Sequence, residues 1–218
     1  MKKVSVLSAV VLSSVALHSH AADFFVGAEA GVALFPDFTD RAVQTSPVQG
    51  STATQDRTSA AFGIYGGAWL TENFGVEAAY TDLGKVEGSV SGTITSGPAA
   101  GTTVRSTYKY SANALSVTAL GGIKLGAGTL YGKAGIYSAT VKNETATGPG
   151  GSVTDSASTS STGLVYGAGY AFPFTKHLVG KAEVAIYDGV QFQKLFAQKG
   201  TNVSENITKA SLGLAYAF

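Results

Sequence analysis

The chain has 218 residues, with 15 Lys and Arg against 14 Asp and Glu, no cysteine, three histidines and 28 glycines. Without cysteine there is neither a disulfide framework nor thiol chemistry, and so balanced a charge gives no basic face for nucleic acid. Charged residues are only 13% of the total, a poor composition for solvated helices when glycine is so common.

Residues 1–21 begin with Lys2 and Lys3, continue as an apolar run broken only by serines, and end with Ser19 and Ala21 at the small-residue positions of a cleavage site. This is the form of a secretory signal peptide cut after Ala21. Its apolar run is too short for a comfortable helical span, and no other run reaches the roughly 18 residues that one needs. Residues 22–218 then carry 13 basic and 14 acidic residues, a net charge of −1, and a single histidine.

From residue 24 the chain alternates. Phe24, Val26, Ala28, Ala30, Val32 and Leu34 fall on one side, with Gly27, Glu29, Gly31 and Ala33 on the other. Period two predicts a strand. After a polar stretch the pattern returns with Phe62, Ile64, Ala68 and Leu70, turns at Thr71-Glu72-Asn73, and resumes with Phe74, Val76, Ala78 and Tyr80 against Glu77. A fourth strand carries Leu115, Val117, Ala119 and Ile123 opposite Ser116, Thr118 and Lys124. A fifth runs over residues 130–141 with Lys133 opposite Ala134 and Ile136. Leu164, Tyr166, Ala168, Tyr170 and Phe172 mark the sixth. Ala182, Val184 and Ile186 oppose Lys181 and Glu183 in the seventh, and residues 207–218 form the eighth.

Eight strands result, joined alternately by long and short connections. The long ones, about residues 36–58, 85–106, 142–161 and 188–205, are polar and read as loops. In each strand one face is apolar and free of charge at mid-strand, while the other mixes Gly, Ala, Ser, Thr, Tyr and charges. Slipping the register by one residue would swap the faces and put Lys133 or Lys181 into lipid at a cost of roughly 2–4 kcal/mol. Hydrocarbon also tolerates no unpaired backbone groups, so the sheet must close. The expected fold is an all-β, eight-stranded antiparallel up-and-down transmembrane β-barrel of the bacterial outer membrane, with periplasmic termini and extracellular long loops. Outward aromatics support it. Phe24, Phe74, Tyr170, Phe172, Tyr216 and Phe218 form one girdle, and Phe62, Tyr80 and Tyr166 the other. A secreted soluble barrel would share the strand count but turn its apolar face inward.

An eight-stranded barrel is just wide enough for side chains to fill. Glu29, Glu77, Lys133, Lys181 and Glu183 point inward, with Lys124 near the periplasmic end, and are expected to form a lumenal polar network. Tyr65, Trp69, Tyr131, Tyr137 and Tyr187 can help to plug the lumen, whereas inward glycines such as Gly27 and Gly67 leave room for water. No cofactor, metal site or catalysis is expected: His177 sits alone on a short turn. In the last long connection, Val190, Phe192, Leu195 and Phe196 suggest a strand extension, a cap over the lumen, or a contact patch for a ligand.

The chain closes on Ser211-Leu212-Gly213-Leu214-Ala215-Tyr216-Ala217-Phe218. This resembles the C-terminal signal of Gram-negative outer-membrane barrels, in which a polar residue, a glycine and two terminal aromatics are read by the assembly machinery. Ser211, Gly213, Tyr216 and Phe218 match that pattern. Residues 63–84, GIYGGAWLTENFGVEAAYTDLG, resemble the second barrel hairpin of the outer membrane protein A and opacity-protein group, in a barrel-only form without the periplasmic peptidoglycan-binding domain. The resemblance implies a porin-family surface antigen, monomeric, with a structural or adhesion-type role through its extracellular loops. Its partners would be outer-membrane lipid and lipopolysaccharide, the assembly machinery, and host or envelope surface ligands. It also implies an alternative, because the carboxylate matching Glu77 takes part in a lumenal ion-pair gate, which would make the barrel a narrow gated channel for small solutes or ions. Deleting Phe218 is expected to reduce the heat-modifiable folded form in outer-membrane extracts several-fold, while refolding of purified chain into detergent stays unchanged.

Overall fold

A computed structural model of the chain describes residues 22–40, 49–94, 98, 100–147, 153–193 and 202–218. The expected signal segment, residues 1–21, lies outside them. Nine strands follow in order: β1 (Asp23–Leu34), β2 (Gln49–Gln55), β3 (Thr58–Trp69), β4 (Phe74–Thr93), β5 (Thr103–Leu125), β6 (Gly128–Thr147), β7 (Val153–Pro173), β8 (Leu178–Gln193) and β9 (Asn202–Ala217). Every pairing is antiparallel, in the order β2-β4-β3-β1-β9-β8-β7-β6-β5, and β4 also pairs β5, which closes the ring. Both β2 and β3 pair with β4, one after the other along its length. They act as one barrel strand interrupted at Asp56 and Arg57. The Asp56 N–H still donates to the Glu87 carbonyl at 3.0 Å, and the Phe35 N–H donates to the Arg57 carbonyl at 2.8 Å. The molecule is therefore an eight-stranded antiparallel barrel, as its periodicity predicts.

The lower part is inside-out. Val26, Val76, Val117, Ile136, Val184 and Leu212 all face outward and are exposed, while Glu29, Glu77, Lys133, Lys181 and Glu183 are buried inside. Phe24, Phe74, Phe172, Phe174, Tyr216 and Phe218 ring the end with the short turns, and Phe62, Tyr80 and Tyr166 lie outward nearer the other end. The C-terminus is built into the sheet: the Ala217 N–H donates to the His177 carbonyl (2.8 Å) and the Phe218 N–H to the Phe24 carbonyl (3.0 Å).

Above this band the polarity inverts. The inward face carries Val86, Val90, Tyr108, Tyr110, Val141, Val190, Phe192 and Ile207, buried in one apolar cluster with Phe35 and Phe38. The outward face carries Glu87, Ser89, Arg105, Thr107, Lys109, Lys142 and Glu144. At about 3.4 Å per residue and a tilt near 40°, the 23 residues of β5 rise roughly 60 Å, more than twice the ~25 Å apolar band of an outer-membrane barrel. The upper barrel is thus a water-soluble wall around an ordinary hydrophobic core.

This inversion corrects the expected loops. Residues 85–93 and 103–106 belong to β4 and β5, and residues 142–147 and 153–161 to β6 and β7. β2 occupies part of residues 36–58, and the β8–β9 hairpin runs well into residues 188–205. Two bulges hid the continuation. In β4 the register shifts between Asp82 and Gly84, and in β8 between Tyr187 and Val190. The inward residues change from odd to even numbers at both places: Leu83 gives way to Val86, and Tyr187 to Val190. A period of two, followed along one parity, ends there although the strand does not.

Glycine makes both bulges possible, because Gly84 and Gly189 hold φ of +79° and +78°, where other residues are strained. The Asp82 carboxylate accepts from the Gly84 N–H at 2.9 Å, and Asn206 Oδ1 accepts from the Gly189 N–H at 3.1 Å. A Cβ on Gly84 would also strike the Ala60 carbonyl and Ser59 Oγ, whereas one on Gly101 (φ +86°) would meet nothing within 4 Å. Gly84→Ala is expected to destabilise the barrel by about 2–3 kcal/mol and Gly101→Ala by only about 1 kcal/mol. Urea unfolding in micelles, followed by the fluorescence of the single tryptophan, checks the difference.

Candidate functional site in the barrel lumen

Six charged side chains meet in the lumen of the lower barrel. Glu29 comes from β1, Glu77 from β4, Lys133 from β6, Lys181 and Glu183 from β8, and Lys209 from β9. They form a closed ring of alternating sign. Lys209 contacts Glu29; Glu29 lies 3.5 Å from Lys181; Lys181 lies 3.1 Å from Glu77; Glu77 lies 3.1 Å from Lys133; Lys133 lies 2.7 Å from Glu183; and Glu183 lies 3.6 Å from Lys209. Lys181 also reaches across to Glu183 at 3.4 Å. None of the six side chains is more than 7% exposed. Three carboxylates against three ammonium groups leave no net charge.

Neutral groups complete the ring. Ser211 Oγ donates to Glu29 Oε2 at 3.1 Å, and the Tyr131 hydroxyl donates to Glu183 Oε2 at 2.9 Å. Glu77 takes one lysine on each oxygen, Lys133 on Oε1 and Lys181 on Oε2. The Lys181 ammonium also rests 3.6 Å above the centre of the Tyr65 ring, a cation–π contact strengthened by exclusion of water. Burial makes this arrangement demanding, since an ion stripped of water must be repaid by close partners and hydrogen bonds.

Five of the six network residues expected from sequence meet in this ring. Lys124 does not: it is exposed near the short-turn end, where its ammonium donates to Thr129 Oγ1 at 3.3 Å. Its place is taken by Lys209, which the sequence reading missed. The signal was there, because Lys209 shares the odd, inward parity of Ser211, Gly213 and Ala215. The neighbours of Lys209 are Ala33 on β1 and Ala185 on β8, two small side chains that leave the long ammonium free to cross the lumen.

The inward glycines do not hold space for water. Gly27 lies directly opposite Tyr65, Gly169 and Gly163 opposite Tyr131 and Tyr137, and Gly88 opposite Tyr108. In each case a Cβ on the glycine would collide with the tyrosine ring. The tyrosines lie flat over these glycines and fill the lumen. Tyr137 and Tyr187 pack edge to face, with centroids 5.4 Å apart. Above them Phe38, Tyr110 and Phe192 pack in tilted and edge-to-face contacts with centroids 5.0–5.5 Å apart.

Val190 and Phe192 therefore belong to the plug and are fully buried. They are not a contact patch, because the β8 bulge turns both of them inward. Leu195 and Phe196 lie outside the described residues. Polar bonds fasten the plug near its top. The Tyr108 hydroxyl donates to Gln55 Oε1 at 3.3 Å, and burial pushes its pKa up to about 12. The Thr39 hydroxyl and N–H hold the Asp37 carboxyl below its usual range, and Arg57 lies 3.7 Å from that carboxylate.

Below the ring a cavity of about 280 Å³ opens toward the short-turn end, lined by Phe25, Trp69, Lys124, Lys176 and Val179 among others. Ser211 is buried against Glu29, Gly213 also lies inward, and Tyr216 and Phe218 lie outward in the girdle, so the four residues of the expected assembly signal divide between the two faces. His177 stacks on Tyr216 (centroids 5.4 Å, 11° between planes), and its Nδ1 lies 2.9 Å from the Ala217 carbonyl. Its contacts are those of a pin for the terminus. Among the described residues no group of His, Cys, Asp and Glu is placed to hold a metal ion.

A closed eight-stranded barrel with a lipid-facing apolar band and a charged lumen defines a small outer-membrane β-barrel. The chain belongs to the family of OmpA-like transmembrane domains, whose family model matches residues 19–218. It is a protein of the bacterial outer membrane. Among solved structures it resembles the outer membrane protein OprG from Pseudomonas aeruginosa (16% identity, 91% of this chain and 96% of that one, TM-score 0.53). It also resembles Neisserial surface protein A (14%, 91% and 100%, TM-score 0.48). A further match is Ail, the attachment invasion locus protein of Yersinia pestis, in complex with the heparin analogue sucrose octasulfate (16%, 90% and 99%, TM-score 0.43). No curated protein sequence matches the chain significantly.

Removing one member of the ring leaves partners charged and buried. Lys209→Met is expected to destabilise the barrel by about 3–5 kcal/mol, and Lys124→Met by no more than about 0.5 kcal/mol. Adding Glu29→Gln to Lys209→Met is expected to restore part of the loss, which a double-mutant cycle of unfolding in micelles will measure.

Proposed function

We propose that this protein is a closed barrel that works at its outer surface as a structural and adhesion-type element. In this reading the inverted upper wall is extracellular. It carries the strand connections well above the membrane and presents them, with its polar outer face, to host or envelope surface ligands. The observation that favours this over transport is two seals in series: a neutral ring of six buried charges, and above it an apolar plug in which Tyr108, Tyr110, Phe192 and Val190 are at most 1% exposed. A rigid, filled barrel suits display, because binding residues held on a stiff support lose little entropy when a ligand docks. His177 is committed to the terminus through the Tyr216 ring and the Ala217 carbonyl.

The second reading is the narrow gated channel. It draws on the cavity that leads from the short-turn end up to Lys181 and Glu77. Exchange of partners within the ring would open only the lower seal, so a conducting state also requires the aromatic plug to move.

Two measurements separate these readings. Purified protein in planar bilayers is expected to show no steady conductance, and Glu77→Ala is expected to lower stability without opening a pore; steady conductance in that variant would favour the gate. On intact cells, replacing residues 94–102 and 148–152 with short turns is expected to weaken adhesion to host-cell and envelope ligands several-fold. Unchanged adhesion would remove the surface role from these connections.

A further inference from the structure

We infer that the outer wall of β4, β5 and β6 carries a binding site for the phosphate headgroup of an outer-leaflet glycolipid, formed by Lys85 and Lys142 on either side of Ser111. The inference rests on the orientation proposed above. The register sets these residues in one line across three strands: Lys85 pairs with Ser111, and Ser111 with Lys142. Two strand spacings put the lysine backbones about 10 Å apart. Two lysine side chains can close that distance on a phosphate held over Ser111, whose hydroxyl is a further donor.

Position selects a lipid over a soluble anion. Along the same strands the last large lipid-facing side chains are Tyr80 on β4, Leu115 on β5 and Ile136 on β6, which are 48%, 57% and 65% exposed. With about 3.4 Å per residue and a tilt near 40°, Lys85 and Lys142 stand roughly 10–16 Å above Tyr80 and Ile136, in the headgroup layer. Acyl chains on Leu115, Val117 and Ile136 would bring their phosphate to this line, and lysine side chains can bend toward it.

Charge limits the site from above. The next line outward is Glu87, Lys109 and Glu144, in which Lys109 lies 3.8 Å from one carboxylate and 3.9 Å from the other. That lysine is committed, and the carboxylates beside it repel an anion rising beyond the first line. Lys142 is exposed, and among the described residues no carboxylate lies within ion-pair distance of it. Lys85 has only a 4.0 Å contact with Glu87, with both side chains 61% exposed. Such a pair is weak and easily exchanged for a phosphate. Asp82, below, is turned to the Gly84 N–H.

The test uses the full mature chain in neutral detergent, titrated with diphosphoryl lipid A, with dephosphorylated lipid A and with inorganic phosphate, and read by thermal unfolding and by native mass spectrometry. Diphosphoryl lipid A is expected to bind and raise the unfolding temperature, in a salt-sensitive way. Dephosphorylated lipid A and millimolar phosphate are expected to do so at least tenfold less well. Lys85→Ala/Lys142→Ala is expected to weaken lipid A binding at least tenfold, and Lys124→Ala, at the other end, to leave it unchanged. Equal binding by the double variant, or equal binding of the dephosphorylated lipid, overturns the site. Competition by phosphate alone at the same concentration overturns its assignment to a lipid. Orientation is read separately by impermeant maleimide labelling of Ala100→Cys on intact cells. Labelling with no lipid selectivity rejects the site alone, and selective binding without labelling rejects the orientation alone.

Discussion

Everything in this structure follows from what hydrocarbon refuses to accept. An unpaired N–H or C=O in the membrane finds no water, so a sheet there must close on itself. A charge in the membrane finds none either, so it must face inward. Once six charges are enclosed in so narrow a space they must also meet one another. The alternating ring of Glu29, Lys181, Glu77, Lys133, Glu183 and Lys209 satisfies these demands together. Each carboxylate has two lysines in the cycle and each lysine two carboxylates, so every member depends on partners from other strands. The ring ties β1, β4, β6, β8 and β9 across the lumen at mid-barrel, where ladder hydrogen bonds link only adjacent strands.

Above the membrane the constraint is lifted and the pattern reverses. Water can satisfy Glu87, Lys109 and Glu144 on the outside, and the lumen can hold an ordinary apolar core. The change of solvent falls close to the β4 bulge, where the Asp82 carboxylate and Gly84 shift the parity of the strand. β5 crosses the same boundary with no shift. Its even positions face inward throughout, from Ser106 to Gly122, and only the chemistry of its outward residues changes, from Leu115 and Val117 to Lys109 and Thr107.

These two ways of crossing explain what was legible beforehand. The strand count, the lipid-facing side and five members of the ring could be read because membrane strands advertise themselves by alternation against a uniform solvent. The upper strands could not be read in the same way. Their outward residues are Ser, Thr and charges, which resemble loop composition, and the bulges at Gly84 and Gly189 break the period where the solvent changes. Lys209 has inward parity, but the eighth strand stands out in the sequence by its aromatic end. Lys124 has inward parity too, yet near the short-turn end an inward lysine meets water. What parity cannot convey is distance across the lumen. That depends on barrel width and on the small side chains at Ala33 and Ala185, which belong to other strands.

The tyrosine–glycine pairs carry the same lesson into the plug. A glycine on an inward face reads as empty space when one strand is considered alone. In the barrel it is the seat of a neighbouring ring, as Gly27 is for Tyr65 and Gly163 for Tyr137. Four such seats, distributed from the short-turn end to the upper collar, let rings lie flat against the wall of a cylinder too narrow for them to project freely. The lumen is filled by pairing across strands, so a substitution at one of these glycines acts on the seal through its neighbour.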